Sequence, residues 1–584
     1  MPETPVGAIE LVLDYLVGEG VEYVFGVPGG ALVPLYEALA GREAIRPVLT
    51  KHEAGAAFMA DGYARVRRGL GVCCGTTGPG ATNALTGVAC AHADSIPLLL
   101  LTAQVSTAGL GRGAAQECSP FYGDTVALYT AVTKLSAVVP DGTKAGELVR
   151  RSLRAALTGR TGAVHLSVPG DVARARVPRD LRPASAYRPL SRPVDRDGVR
   201  RVADLLRRAE RPCLFAGHGT NLAHAGPALA RLSERHGLPV ATTPKAKGVL
   251  REDHPLALGV FGYGGSRWAD RYLTDHDVDV LVVVGSSLGE LATNAWDPRL
   301  QPTRALVQID VDPESVGLNY RVQLGLVGDA RATLEALAAE LGDEPLPSAE
   351  SSRVRLSVLR RAMPRRHEVD RATGPGTVHP VDLVDGVARV MPADAMLFVD
   401  IGNCMSWFLH YHECRRPDSF FISLGWASMG SSIGIAIGGA MAAPGRRALV
   451  AVGDAAFAMS GMEVHTAVEY DVPVTFIVLN DGGHGMVAHG DELLFARSVC
   501  PARFRGPLDV RQIAEGLGAR AFAARSPIEL DRVLAAALAE PGPSVVDVAI
   551  DPRVVPPPLR TRADTLKHYF ASRGTSHTTT TSDK

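Results

Sequence analysis

Short, almost wholly apolar runs alternate with helical periodicity along most of the chain. That alternation restricts the fold more than any other feature. Examples are IPLLLLT at 96–102, AVHLSVP at 163–169, VDVLVVVG at 278–285, ALVQIDV at 305–311, MLFVDIG at 396–402, VTFIVLN at 474–480 and SVVDVAI at 544–550. A run of five to eight apolar residues rich in valine and isoleucine suits a strand buried on both faces. Strands that alternate with helices read as a parallel sheet with crossovers. The pattern occurs in three blocks separated by polar, proline-bearing stretches at 177–197 and 341–352, which read as linkers. The expected fold is therefore α/β, with three doubly wound parallel-sheet domains at 1–185, 198–342 and 377–555. An arm and low-complexity tail, 556–584, follow and end in TSHTTTTSDK. Helices are expected over 9–16, 52–68 and 462–470.

Composition narrows the function. With 61 basic against 62 acidic residues the formal charge is −1, without the basic excess that nucleic-acid binding requires. Seven of the 61 basic residues are lysine and the rest arginine, a skew read as codon bias. No apolar stretch reaches membrane-spanning length, and the N-terminus lacks a charged region followed by an apolar run, so a cytoplasmic protein is expected. The eight cysteines form no CxxC pair, which points to reduced thiols rather than a zinc site or a disulfide framework.

The strongest local signal lies in the third block. Gly453-Asp454-Ala455-Ala456 ends one apolar run, and Asn480-Asp481-Gly482-Gly483-His484-Gly485-Met486 ends the next. Parallel strands joined by a crossover helix bring both acidic residues to the same carboxyl edge, where ligands bind. Two carboxylates, a free carbonyl and glycine-rich N–H groups suit a hard divalent cation carrying a diphosphate. Taken singly, Asp454 reads as readily as a helix cap, and Asp481-Gly482 as a turn.

This segment resembles the thiamine-diphosphate (ThDP) motif, in which Gly-Asp-Gly precedes a pair of asparagines by about 25 residues. The resemblance implies Mg²⁺ held by Asp454, Asp481 and the Gly483 carbonyl. It departs from the motif at Ala455 (glycine), Ala456 (often a hydroxyl) and Asp481 (the second asparagine). In the first block Glu53 opens a helix among Ala54, Gly55, Ala56, Ala57 and Ala60, small residues read as letting a cofactor approach. It is flanked by Gly29-Gly30 and by GTTGPGATN, which carries Pro79 and Asn83. Together these resemble the pyrimidine-binding domain of acetolactate synthases, with Glu53 as the carboxyl against the aminopyrimidine. The resemblance spans roughly 5–555 and names the three domains as pyrimidine-binding, central Rossmann-like and diphosphate-binding. Met429 falls at the wedge under the cofactor, and Asp400-Ile401-Gly402-Asn403 line the pyrimidine side. Such enzymes add a cofactor carbanion to a 2-oxo acid, release CO₂, and either protonate the acyl unit or pass it to a second carbonyl.

The His-His pair of simple decarboxylases is absent. GRGAAQE at 111–117 is similar to the synthase loop, with Gln116 as the polar group on the substrate side. Ala115 and Gly490 replace two aromatics, which implies an acceptor larger than pyruvate. His484 and His489 are acid–base candidates, His489 reading equally as a surface residue. Gly285-Ser286-Ser287-Leu288 lacks the arginine of the family's flavin stretch, which argues against FAD. A homodimer or homotetramer with active sites at the subunit interface is expected. The alternatives are a phosphonopyruvate- or sulfopyruvate-type decarboxylase, a ThDP-dependent lyase, and a non-catalytic scaffold.

Overall fold

The computed structural model describes residues 4–275 and 278–572; the tail TSHTTTTSDK lies outside them. Three six-stranded sheets follow one another along the chain, and every pairing within them is parallel. The first contains β1 (Tyr23–Gly26), β2 (Arg46–Leu49), β3 (Gly71–Gly75), β4 (Leu98–Gln104), β5 (Ser136–Val138) and β6 (Ala163–Pro169). The middle sheet contains β7 (Pro212–Ala216), β8 (Val240–Thr242), β9 (Ala257–Val260), β10 (Val280–Val284), β11 (Ala305–Asp310) and β12 (Leu324–Val327). The third contains β13 (Met396–Val399), β14 (Phe420–Ile422), β15 (Ala448–Gly453), β16 (Val474–Asn480), β17 (Arg520–Ala524) and β18 (Ser544–Ala549). β10, with the sequence VLVVV, is buried at every residue, as its β-branched composition requires of a strand covered on both faces.

Strand order separates the sheets into two kinds. Counted within each sheet, the first and third share the order 2-1-3-4-6-5, whereas the middle one runs 3-2-1-4-5-6. A parallel sheet opens its ligand crevice at the carboxyl ends of the strands where the winding reverses. In the first sheet that point lies between β1 and β3, and in the third between β13 and β15. The glycine turns after β1 and β3, and Asp400 and Asp454 after β13 and β15, stand at these two places.

The first and third sheets are joined through α1 (Glu53–Arg67) and α3 (Ser431–Ala442), with α2 (Asn403–Tyr411) between them in the chain. A Cβ on Gly62 would lie 1.8 Å from the Ile435 carbonyl oxygen, and one on Gly438 would lie 1.9 Å from that of Met59. The two backbones touch, so only glycine fits at these positions. The small residues near Glu53 are used in the same way: Gly55 abuts Glu463, and Ala57 meets Gly87. They serve helix packing, which corrects the expectation that they admit a cofactor.

A second correction concerns 341–352. Residues 349–352 begin a helix, Ala349–Ala362, whose Leu356 is buried in a core of the middle sheet. The predicted 462–470 helix appears as a tight turn at Gly461–Glu463 followed by a helix over Val464–Glu469.

Polar groups from all three units meet at Asp94. It accepts from Arg65 at 2.6 Å, from Lys245 of the middle unit at 3.0 Å and from Ser423 of the third at 2.8 Å. Arg65 also pairs with Asp61. Burial opposes ionisation of Asp94, but Lys245, Arg65 and His218 outweigh it and hold the carboxyl well below its usual range. Breaking one partner of a buried pair costs about 3–5 kcal/mol, so Asp94→Asn should lower the apparent Tm by several degrees in a thermal melt. Because the folded-state pKa is depressed, this contribution is complete above the unfolded value. The gap between wild type and variant should therefore stay constant from pH 8 to 5 and narrow only below about pH 4. An unchanged melt would remove the junction from the account of stability.

Candidate active site

In the third unit Asp454 is the first residue of α4 (Asp454–Ser460), which is followed by α5 (Val464–Glu469). Its Oδ2 accepts from the Gly482 N–H at 3.0 Å, while Oδ1 is buried with no protein partner. Burial, then repulsion from Asp481, raises the Asp454 pKa to about 7. Burial also raises that of Asp481, against Arg503 and a hydrogen bond with Asn403. Asp481 closes on Gly485, where a Cβ would lie 1.8 Å from Oδ2 and 2.8 Å from Asn403 Nδ2. Gly485 is thus glycine because two polar side chains converge on it. Gly482 and Gly483 have φ of +82° and +147°, so this turn needs two glycines in succession. Gly402 and Gly453 face open space, whereas Ala455 and Ala456 are buried in α4.

Asp400 organises the opposite side. Its carboxylate accepts from Gly430 N at 2.8 Å, Ser432 N at 2.9 Å and Ser432 Oγ at 2.5 Å. These bonds fix the left-handed turn at Gly430, φ +80°, that presents half-buried Met429 before α3.

α6 (Gly485–Phe495) follows the acidic turn, and its half-buried Met486 packs on the sheet. His489 in this helix is buried and is not a surface histidine. Nε2 lies 2.8 Å from the Pro552 carbonyl, to which it donates, leaving Nδ1 to accept from Asn403 Nδ2 at 3.2 Å. Burial lowers its pKa, and the ring orients Asn403. His484 is half-buried with its ring edge-on to Phe504. The final helix, α7 (Pro557–Ser572), packs on α6 and α2.

In the first unit Glu53 is 8% exposed and accepts from Asn83 Nδ2 at 3.0 Å. A Cβ on Gly80 would lie 3.1 Å from Glu53 Oε1. Pro79 starts the short helix Pro79–Asn83 that delivers both neighbours. Gly29 presses on Thr76, and Gly30 faces open space. Gln116 is exposed in a left-handed conformation, φ +62°, with its carbonyl accepting from Thr77 Oγ1 at 2.7 Å. Ala115 beside it is exposed as well.

Two residues absent from the sequence reading join these groups. Glu463, from the third unit, accepts from the N–H groups of Lys51 and His52 at 3.1 and 3.0 Å and so clamps the start of α1. Arg503 reaches the Asp481 carbonyl at 2.8 Å. Neither sits in a spacing pattern that marks it.

The donor set fits a hard cation. The unpartnered Asp454 oxygen, the adjacent Asp481 carboxylate and the backbone exposed at glycine turns are oxygen-rich and lack thiolate or imidazole. Among the described residues no group of three or more His, Cys, Asp or Glu could hold a metal, so such a cation needs backbone oxygen too. All eight cysteines are unpaired. Among the described residues no helix is long and apolar enough to cross a membrane.

Two sheets of the same strand order, with a Rossmann-ordered sheet between them in the chain, define a doubly wound α/β architecture of the kind that binds ligands at strand carboxyl ends. The chain matches three family domains: the thiamine pyrophosphate enzyme N-terminal TPP binding domain over 7–127, the central domain over 199–337 and the C-terminal TPP binding domain over 400–548. It is 33% identical over 564 residues to a probable acetolactate synthase large subunit of Methanocaldococcus jannaschii, covering 94% of this chain and 93% of that one. It is 30% identical over 542 residues to the acetolactate synthase isozyme 1 large subunit of Escherichia coli, with 93% of each covered. A probable 2-ketoarginine decarboxylase of Pseudomonas aeruginosa is 35% identical over 487 residues, covering 83% of this chain and 84% of that one. The chain belongs to the thiamine-diphosphate-dependent enzymes, as an acetolactate synthase-like member.

Proposed function

We propose that the protein decarboxylates a 2-oxo acid, pyruvate in the first instance, and transfers the acyl unit to a carbonyl acceptor larger than pyruvate. The observation that carries the acceptor reading is Gly490. A Cβ there meets nothing within 4 Å, so the third residue beyond Val487 on α6 leaves space where an aromatic would stand. Ala115 adds room from the first unit. In this reading Asp454, Asp481 and the Gly483 carbonyl hold Mg²⁺. Gly453, Ala455, Ala456, Gly485 and Met486 surround the diphosphate, with His484 beside them, and Met429 supports the cofactor, which when bound supplies the carbanion. Gly402 and Asn403 on one side, and Gly29, Gly30, Pro79 and Asn83 on the other, enclose its pyrimidine.

Glu53 holds a proton at the pyrimidine edge, and Gln116 orients the substrate. The two crevices come from different subunits of a homodimer or homotetramer. Trp426, Met459 and Met462 stand exposed around the Met429 turn and α4, which supports a covering subunit there. No flavin is assigned to the middle unit. The turns after β7 and β10 pack backbone to backbone, and a Cβ on Gly217 would lie 2.3 Å from the Gly285 carbonyl oxygen.

A second reading, decarboxylation without ligation, draws support from the 2-ketoarginine decarboxylase relative. Product analysis separates the two. Pyruvate with a panel of aldehydes and 2-oxo acids should give mixed carboligation products, with little acetolactate from pyruvate alone. Efficient acetolactate formation from pyruvate would refute the enlarged acceptor site, and free aldehyde as sole product would establish the second reading.

A further inference from the structure

Charge bookkeeping at the acidic turn leaves a deficit. Two carboxylates, Asp454 and Asp481, neutralise a dication completely, so the negative charge of a diphosphate bound through it would be left uncompensated. The structure supplies a cation at this place. Residues 502–504 lie antiparallel against the acidic turn: His484 N donates to the Ala502 carbonyl at 2.7 Å, and Phe504 N donates to the Gly482 carbonyl at 2.9 Å. Arg503, between them, has Nη1 3.6 Å from Asp481 Oδ1 while donating to the Asp481 carbonyl at 2.8 Å, and its Nη2 donates to the Pro552 carbonyl at 3.1 Å. The guanidinium is therefore anchored by two backbone carbonyls beside one carboxylate. Asp454, by contrast, has one oxygen bonded to Gly482 N and the other unpartnered.

We propose that Arg503 is a positioning residue that offsets the charge of Asp481, so that Asp481 can share a divalent cation with Asp454 and still admit a diphosphate. The proposal rests on the reading of this turn as the Mg²⁺–ThDP site. Arg503 acts through Asp481 and not by touching the diphosphate, and that distinction is what the test must resolve.

Isothermal titration of the full chain with thiamine diphosphate in MgCl₂ reads the binding directly, without turnover. Arg503→Gln should weaken binding about tenfold, as expected for loss of a close charge pair, whereas Arg503→Lys should stay within about threefold because the charge is kept. Asp481→Asn keeps an oxygen ligand for the cation and should retain measurable Mg²⁺-dependent binding, whose affinity is the reference for the double variant. Adding Arg503→Gln to Asp481→Asn should then cost less than about threefold, because the charge to be offset is gone. Equal losses from Arg503→Gln in both backgrounds would make Arg503 a direct phosphate partner or a purely structural residue and overturn the proposal. Wild-type binding by Arg503→Gln, or loss of binding in Asp481→Asn alone, would overturn it too. If wild type shows no Mg²⁺-dependent binding, the reading of the site fails, and the inference with it.

Discussion

Glu53→Gln is expected to cut decarboxylation of a 2-oxo acid by about 10²–10⁴-fold, the range that a positioned acid–base group contributes. The substitution keeps the shape and an acceptor oxygen while removing the group that exchanges a proton. The site is built to hold that group still. Glu53 is the first residue of α1 and is fixed by Asn83 Nδ2 at 3.0 Å. The turn before it is held by Glu463, whose carboxylate takes the Lys51 and His52 N–H groups. The Leu49 N–H, held by the Tyr470 hydroxyl at 2.7 Å, adds a second tie to the third unit. CO₂ release measures the loss. ThDP affinity and the melting curve should change little, because the amide still bonds Asn83 and the packing of α1 is untouched. Turnover at the wild-type rate in Glu53→Gln would rule out proton exchange at this carboxyl.

The parts legible in the sequence were those with a period or a motif. The apolar runs became strands because each is flanked by turns and is too short for a buried helix; the run at 278–285 forms β10, Val280–Val284. Asp454 and Asp481 were found because strand ends in a parallel sheet share an edge, so spacing alone brings them together. Glu463 and Arg503 were invisible for the opposite reason. Each acts on a turn distant in the chain or delivered by an irregular segment, and a lone acidic or basic residue carries no periodic signature. The alanines and glycines of α1 were misread because small residues signal close approach without saying by what. Here the approaching objects are Glu463 at Gly55, Gly87 at Ala57 and, further along α1, the backbone of α3 about 370 residues away. His489 shows the same limit, since the Pro552 carbonyl that its Nε2 meets is placed beside it only by the fold. At 341–352 the proline-bearing composition hid the start of a helix, whose later Leu356 anchors it.

Asp454→Asn should abolish Mg²⁺-dependent ThDP binding and all turnover, yet stabilise the protein without cofactor at neutral pH. The first effect follows from removing a charged ligand that Asp481 cannot replace alone. The second follows from linkage. Burial and the neighbouring Asp481 raise the Asp454 pKa from 3.8 to about 7. The folded state therefore binds this proton more tightly than the unfolded chain does, so the stability it contributes is complete below about pH 4 and is lost as the pH rises through about 7. At pH 8 wild type carries a buried, repelled carboxylate that asparagine lacks, and the apoprotein variant should melt higher. At pH 4 the difference should vanish. A lower melt at pH 8 would show that the carboxylate is structural, and retained ThDP binding would move the metal elsewhere. The same variant tests the shared site. In a homodimer whose sites join Glu53 of one subunit to Asp454 of the other, co-expression with Glu53→Gln would give mixed dimers in which one site has both intact residues and the other has neither. If Glu53 and Asp454 come from different subunits, random pairing should restore about a quarter of wild-type activity. If both belong to one chain, every site is defective and the mixture stays inactive.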